Sequence, residues 1–227
     1  VNIRYRKIEK KDRRGVADIC YKTGYMGESL EGRGIFDDRT LFGLIFCIYY
    51  QIFEPDNSFV AVDEKDRLVG YIMGSLDTVS QKKGFDRHMR WRIFCRLAGV
   101  TWWRHPGSAK ELLRWLKVPE LPTPEGLYDD YPAHLHMNLL PEFQGMGIGG
   151  KLMRNFLRHV KASRVKGVHL RTSNHNVKAL PFYEKEGFVC VSDRLFQFWS
   201  DVQNHRVVIF AMKCNDSLTE TGEEEKP

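Results

Sequence analysis

One stretch limits the possible folds more than any other. Residues 133–140 form an apolar, strand-like run that feeds directly into Pro141-Glu142-Phe143-Gln144-Gly145-Met146-Gly147-Ile148-Gly149-Gly150. Lys151-Leu152-Met153-Arg154-Asn155-Phe156-Leu157 then carries apolar residues at helical spacing. Glycine adopts positive φ readily and lets backbone approach a ligand closely. The first turn of the following helix has unpaired N–H groups and a partial positive charge. A strand, a glycine turn and a helix start in that order make an anion cradle, and the expected ligand is a large phosphorylated one.

The flanking sequence predicts an α/β domain around that cradle. Residues 2–8 alternate as a strand does, and 10–22 carry Val16, Ile19 and Cys20 as a helical stripe. Residues 23–39 are glycine-rich and read as a loop. Asp37 or Asp38 is placed to cap a buried helix over 41–53. Residues 58–62 and 68–76 predict a hairpin closed by the charged turn 63–67. Beyond the cradle helix, a strand over 167–172 precedes a helix over 176–186, which Gly187 ends. Strand material follows at 188–191 and 196–199, and 207–212 is a continuous apolar run that suits a strand covered on both faces. Alternating strands and helices with hairpins at both ends predict a single domain over 1–214 with a mixed central sheet.

Between the third and fourth strands the composition shifts. Residues 80–117 hold ten Lys or Arg against Asp86 and Glu111, together with Trp91, Trp102, Trp103 and Trp115, and two helices over 82–103 and 108–116 are predicted. Basic residues interleaved with aromatics suit nucleic acid. The favoured expectation is a helical insertion whose tryptophans pack on the body or on a second copy, with arginines outward, so nucleic acid is not an expected partner.

The formal charge of +6 is uneven: residues 215–227 carry −4 and read as a disordered acidic tail, leaving +10 on residues 1–214. A basic body favours anionic ligands. No apolar run approaches the roughly 18 residues of a membrane helix. Five scattered cysteines without CxxC spacing predict neither disulfides nor a zinc site, and a cytoplasmic setting is expected. With Val1 as the first numbered residue, loss of a starting methionine or of a longer leader is expected.

Gly145, Gly147 and Gly150 satisfy a dinucleotide-binding spacing, but no Asp or Glu occurs between Glu142 and Glu184 to hold a ribose. Gly150-Lys151 is followed by Leu152, not by the Ser or Thr of a P-loop. What the stretch resembles is the Gln/Arg-x-x-Gly-x-Gly/Ala signature of the GNAT superfamily of N-acetyltransferases, filled by Gln144, Gly147 and Gly149. A second element, Asn176-x-x-Ala179-x-x-x-Tyr183 followed by Gly187-Phe188, stands at the family's separation. Residues 21–24, 74–78 and 131–136 look like bacterial acetyltransferases related to the acetyltransferase-like domain of O-GlcNAcases, and the basic insertion fits that branch.

The resemblance implies an acetyl-CoA-dependent transferase acting on a primary amine of a small molecule, a lysine or an amino terminus. It places the coenzyme pyrophosphate on the backbone of Gln144, Gly145, Met146, Gly147, Ile148, Gly149 and Gly150. The pantetheine is expected beside Asn138, Leu139 and Leu140, where the fourth strand bulges and parts from the fifth, with the Leu139 N–H polarising the acetyl carbonyl. Asn176 is expected to hold the coenzyme arm, and Tyr183 to protonate the departing thiolate. Asp77 is the first-named general base, with His134, His136, Glu28 or a water chain as alternatives. No metal is expected. The excess positive charge is compatible with an acidic acceptor. The rival reading is a non-catalytic module that binds coenzyme, protein or nucleic acid, with self-association through the insertion.

Overall fold

A computed structural model describes residues 2–119, 121 and 123–214; the acidic tail expected at 215–227 lies outside the described residues. The chain runs β1 (Arg4–Lys7), α1 (Arg13–Thr23), α2 (Arg39–Phe46), α3 (Ile48–Phe53), β2 (Ser58–Val62), β3 (Leu68–Ser75), α4 (Thr78–Arg96), α5 (Trp102–Arg104), α6 (Pro106–Trp115) and α7 (Leu127–Asp130). It continues through β4 (Ala133–Leu139), α8 (Ile148–Ala162), β5 (Gly167–Ser173), α9 (Ala179–Lys185), β6 (Val189–Leu195) and β7 (Arg206–Lys213). The strands form one mixed sheet in the order β1-β2-β3-β4-β5-β7-β6. Only β4 and β5 pair in parallel; the other neighbours are antiparallel.

Each face of the sheet is sealed by a helix layer that its sequence period dictates. In α8, Ile148, Leu152, Met153, Phe156 and Val160 recur at three- and four-residue steps, and all are buried against Ile72, Leu135 and Leu170 of one face. On the opposite face α1, α2 and α3 bury Val16, Ile19, Leu41, Phe42 and Tyr50 against Val60, Tyr71 and Met73. Strand alternation sends Leu135, Met137 and Leu139 of β4 toward α8, and His134 and His136 toward Tyr50 of α3.

The predicted helix over 41–53 is two helices. Asp38 caps the first through the Leu41 N–H at 3.0 Å. The break falls at Cys47, whose φ of −135° leaves the helical region while its thiol meets the Gly43 carbonyl. The strand expected at 196–199 is instead a loop, drawn inward because Phe198 and Trp199 pack on Trp115 of α6. Of the four tryptophans in the insertion, Trp115 is the one that packs on the body among the described residues. It lies against Phe36, Phe46, Phe198 and Trp199, whereas Trp91 and Trp103 are 69% and 77% exposed. The insertion is tied down by charge: Asp38, 1% exposed, takes both Arg96 guanidinium bonds at 2.9 Å and the Thr101 hydroxyl at 2.5 Å.

Candidate active site

The site begins as a fork in the sheet. β4 is held to β3 over six residue pairs and β5 to β7 over seven, but β4 and β5 pair only at Ala133–Val168 and His134–His169. Each strand then follows its outer partner, and the two diverge toward the glycine turn. The bulge expected in β4 is absent, since its register with β3 runs unbroken; shifts occur instead at Ala61/Val62 and Cys190/Ser192.

The fork exposes a backbone edge. Leu140 donates its N–H to the Val69 carbonyl at 2.9 Å, and the register pairs Leu139 with Gly70. Bonded and non-bonded pairs alternate along an antiparallel ladder. Met137 and Leu139 therefore turn their N–H and C=O away from β3, past the last pairing with β5. Gln144 Nε2 donates to the Leu139 carbonyl at 3.2 Å, and Lys178 Nζ donates to Gln144 Oε1 at 3.2 Å, stapling the turn to the fork and to the approach of α9. The Met137 and Leu139 N–H groups remain as donors for a strand-like ligand.

At the open end, Gly145 and Gly147 both have φ of 77°, where a Cβ is strained, and nothing in the protein lies within 4 Å of either Cβ position. Gly147 is the N-cap of α8, with no side chain capping the helix, and the first intrahelical bond is Lys151 N–H to Gly147 O. The N–H groups of Ile148, Gly149 and Gly150 thus face outward at the positive end of a 15-residue helix that has no acidic residue in its first turn. These residues fit a pyrophosphate. Gly149 lets Phe182 of α9 pack close, at 3.4 Å from where its Cβ would be.

Tyr183 follows on α9, buried among Phe182, Phe188 and Phe210 on the α8 face. Its hydroxyl has no hydrogen-bond partner among the described residues, and burial pushes its pKa up to about 12. Asn176 precedes α9 instead of opening it. Its carbonyl accepts from Ala179 and Leu180, and its side-chain oxygen lies 3.0 Å from where a Gly27 Cβ would stand. Asn138 turns to α1 and donates to the Thr23 hydroxyl.

Asp77 lies elsewhere. It follows β3 at the paired end of the fork, where Thr78 N–H meets the Pro132 carbonyl. Its carboxylate caps α4, accepting from Val79 and Ser80 N–H and from the Ser80 hydroxyl at 2.9, 3.1 and 2.8 Å. Those bonds hold it below the usual carboxylate range. Three donors occupy that carboxylate as the cap of α4. Glu28 pairs with Arg33 on the surface.

Facing the fork from the α1–α3 side is a group read only in part from sequence. Tyr50 Oη stands 2.7 Å from His134 Nε2 and 3.1 Å from His136 Nε2, and Thr78 Oγ1 is 2.8 Å from His134 Nδ1. Desolvation lowers both imidazole pKa values, that of His136 to about 4, although only His134 is buried and His136 is exposed. The His-x-His alternation already put both rings on one face. Tyr50 and Thr78 were legible only as a helix-core tyrosine and a strand-end threonine. Among the described residues, no three or more His, Cys, Asp or Glu side chains are grouped to hold a metal, and no helix is long and apolar enough to cross a membrane.

Comparison with known proteins agrees with this geometry. A family model described as an acetyltransferase (GNAT) domain matches residues 122–190, which span the fork, the turn and Tyr183. The crystal structure of SsHAT is 28% identical, with a TM-score of 0.69, over 95% of this chain and 100% of that one. Ard1 from Thermoplasma volcanium, at 17% identity and TM-score 0.55, covers 94% of this chain and 98% of its own. An N-acetyltransferase from Staphylococcus aureus Mu50, at 10% identity and TM-score 0.54, covers 95% and 100%; these last two share the fold. The forked sheet, the glycine turn and the family match converge: residues 122–190 match the acetyltransferase (GNAT) domain, and the chain shares its fold with SsHAT over 95% of its length.

Proposed function

We propose that the protein moves an acetyl group from acetyl-CoA to a primary amine by direct transfer. The observation that carries this reading is the continuity of three elements: the outward N–H groups of Ile148, Gly149 and Gly150, the unpaired edge at Met137 and Leu139, and the Tyr183 hydroxyl. Acetyl-CoA supplies an activated acetyl thioester. The glycine turn, Gln144 to Gly150, receives its pyrophosphate, with Lys178 nearby on the Gln144 side chain. Asn138, Leu139 and Leu140 flank the pantetheine, and Asn176 borders the arm from the far side of the fork. The Leu139 N–H is aimed along the sheet plane, where it stabilises developing oxyanion charge. Tyr183, whose pKa burial raises to about 12, is protonated at neutral pH as any tyrosine is, and donates its proton as the thiolate leaves.

The acceptor approaches from the α1–α3 face. Lys82 and Arg171 both donate to Tyr128 Oη, at 3.0 and 2.9 Å, and neither is in a salt bridge among the described residues. That positive pair supports an acceptor with an anionic group near its amine. The five free cysteines support a reducing, cytoplasmic setting. The test is release of free coenzyme A thiol from acetyl-CoA with a lysine peptide and a small amino acid amide as probe amines. Amine-dependent thiol release supports the assignment, and the absence of any coenzyme A binding at millimolar concentration removes it.

A second role rests on the insertion. Exposed Trp91, Phe94, Trp102 and Trp103 favour self-association there. Sedimentation of the Trp91→Ser, Trp103→Ser variant, compared with the native chain, reads it: a native chain that sediments as a monomer eliminates this role.

A further inference from the structure

We propose that His136 is the general base for the acceptor amine, and that Tyr50, His134 and Thr78 are positioning residues that fix its imidazole with Nδ1 bare and facing the cleft. The proposal rests on the transferase reading above.

The hydrogen bonds assign every proton in turn. Thr78 Oγ1 lies 2.7 Å from the Pro132 carbonyl, which can only accept, so the threonine's single proton is used there. His134 Nδ1, 2.8 Å from the same oxygen, must then be the donor. A neutral imidazole carries one N–H, so His134 Nε2 is an acceptor, and Tyr50 donates its O–H to it at 2.7 Å. With that proton committed, the Tyr50 oxygen accepts at its other contact, from His136 Nε2–H at 3.1 Å. His136 Nδ1 is left with a lone pair and no partner among the described residues. The relay runs one way, from His136 to the Pro132 carbonyl, and its anchor sits where β4 is still paired.

Both rings are neutral at physiological pH for reasons visible around them. Desolvation lowers their pKa values, fully at buried His134 and only in part at His136, which is exposed at the mouth of the fork, and the charged and titratable neighbours act in the same direction: His169 and Arg171 from β5 on both rings, and His136 and Lys82 on His134. No carboxylate is among the groups that shift either ring. The same positive surroundings disfavour an acceptor ammonium, so the amine enters in its nucleophilic form.

Position completes the case. His134 is the last β4 residue paired with β5, and His136 is the next side chain on that face, at the mouth of the fork. The Met137 and Leu139 N–H groups lie in the sheet plane beside it, and Tyr183 is on the opposite face. The amine therefore attacks from the His136 side while the thiolate departs toward Tyr183. In that step a C–N bond forms at the acetyl carbon and the C–S bond breaks. The amine N–H proton passes to His136 Nδ1, and the thiolate takes the Tyr183 proton. Solvent then removes the proton from His136 and restores one to Tyr183, leaving amide and free thiol.

The test has two readouts. Long-range ¹H–¹⁵N correlation spectra of ¹⁵N-histidine-labelled protein report which ring nitrogen is protonated. The expected spectrum at pH 7 shows His136 and His134 neutral, with the proton on Nε2 of His136 and on Nδ1 of His134. Tyr50→Phe is expected to abolish the single tautomer at His136. His136→Gln is expected to lower kcat with the lysine peptide or amino acid amide about 100-fold, the lower end for general-base catalysis, with coenzyme A affinity within twofold of wild type. A proton on Nδ1 of His136, a charged ring at pH 7, or a His136→Gln variant with wild-type kcat overturns the proposal. Failure of wild-type protein to bind coenzyme A removes the transferase reading instead, and the spectrum is independent of it.

Discussion

Two glycines in this chain form a matched pair. Gly147 caps α8 with φ 77° and ψ 0°, and Gly126 caps α7 with φ 72° and ψ 0°. Neither Cβ position has a protein atom within 4 Å. Alanine at either site therefore meets no clash, and its main cost is the left-handed backbone, roughly 1–2 kcal/mol. In a domain of this size that lowers Tm by about 2–8 °C, equally for both, and leaves each variant folded. Only at Gly147 does the new methyl stand where the coenzyme pyrophosphate is placed against backbone. We expect Gly147→Ala to weaken coenzyme A binding at least tenfold, about 1.4 kcal/mol, and Gly126→Ala to leave it within twofold. Urea melts measure the first quantity and isothermal titration the second. Equal affinity loss in both variants would mean that general destabilisation drives the effect. Native affinity in Gly147→Ala would place the ligand away from the turn.

Three other outcomes follow from the same structure. Tyr183→Phe removes a hydroxyl with no hydrogen-bond partner among the described residues; stability should stay within about 0.5 kcal/mol while kcat falls and coenzyme affinity holds, and parallel loss of both refutes the acid role. Arg96→Ala strands the buried Asp38 carboxylate and should cost about 3 kcal/mol at pH 7 by urea titration. Burial pushes the Asp38 pKa up, but Arg96, Thr101 and the Leu41 N–H outweigh it, so the folded value lies below the unfolded one. That stabilisation is complete above the unfolded pKa near 4 and is lost as pH falls through the folded value, so the deficit of Arg96→Ala should shrink in acid. For the buried histidines the folded pKa is depressed as well, to about 4 at His169 and well below the ordinary value at His134. The unfolded chain then binds more protons between about 6.5 and 4. Urea stability should fall across that window, and a flat profile contradicts the assigned burial.

Local elements were legible because local chemistry dictates them. The hairpin at β2 and β3 follows from alternation and the charged 63–67 turn, and the strand, turn and helix from β4 to α8 follow from glycine and helical spacing. The split at Cys47 left no mark, since neither glycine nor proline stands there and the break depends on tertiary packing. Phe198 and Trp199 read as a strand because aromatic residues favour one, yet a hydrophobic pocket beside Trp115 outweighs that local preference. In the site, the glycine turn and Tyr183 were visible as a motif. Asp77 drew attention as a carboxylate at a strand end, although the Ser80 that follows it equally fits the start of a helix, the role the geometry gives it. The Tyr50–His136 contact spans 86 residues, a distance over which no periodicity carries information.

The central claim is that the forked sheet and the glycine turn hold coenzyme A. Addition of coenzyme A to ¹⁵N-labelled protein tests it residue by residue through the backbone amide spectrum. The account predicts the largest shifts at Ile148, Gly149 and Gly150, with a second group at Met137 and Leu139, and little change at Trp102, Leu113 or Lys117 on the insertion. An unchanged spectrum at millimolar coenzyme A, or shifts confined to the insertion, would contradict it.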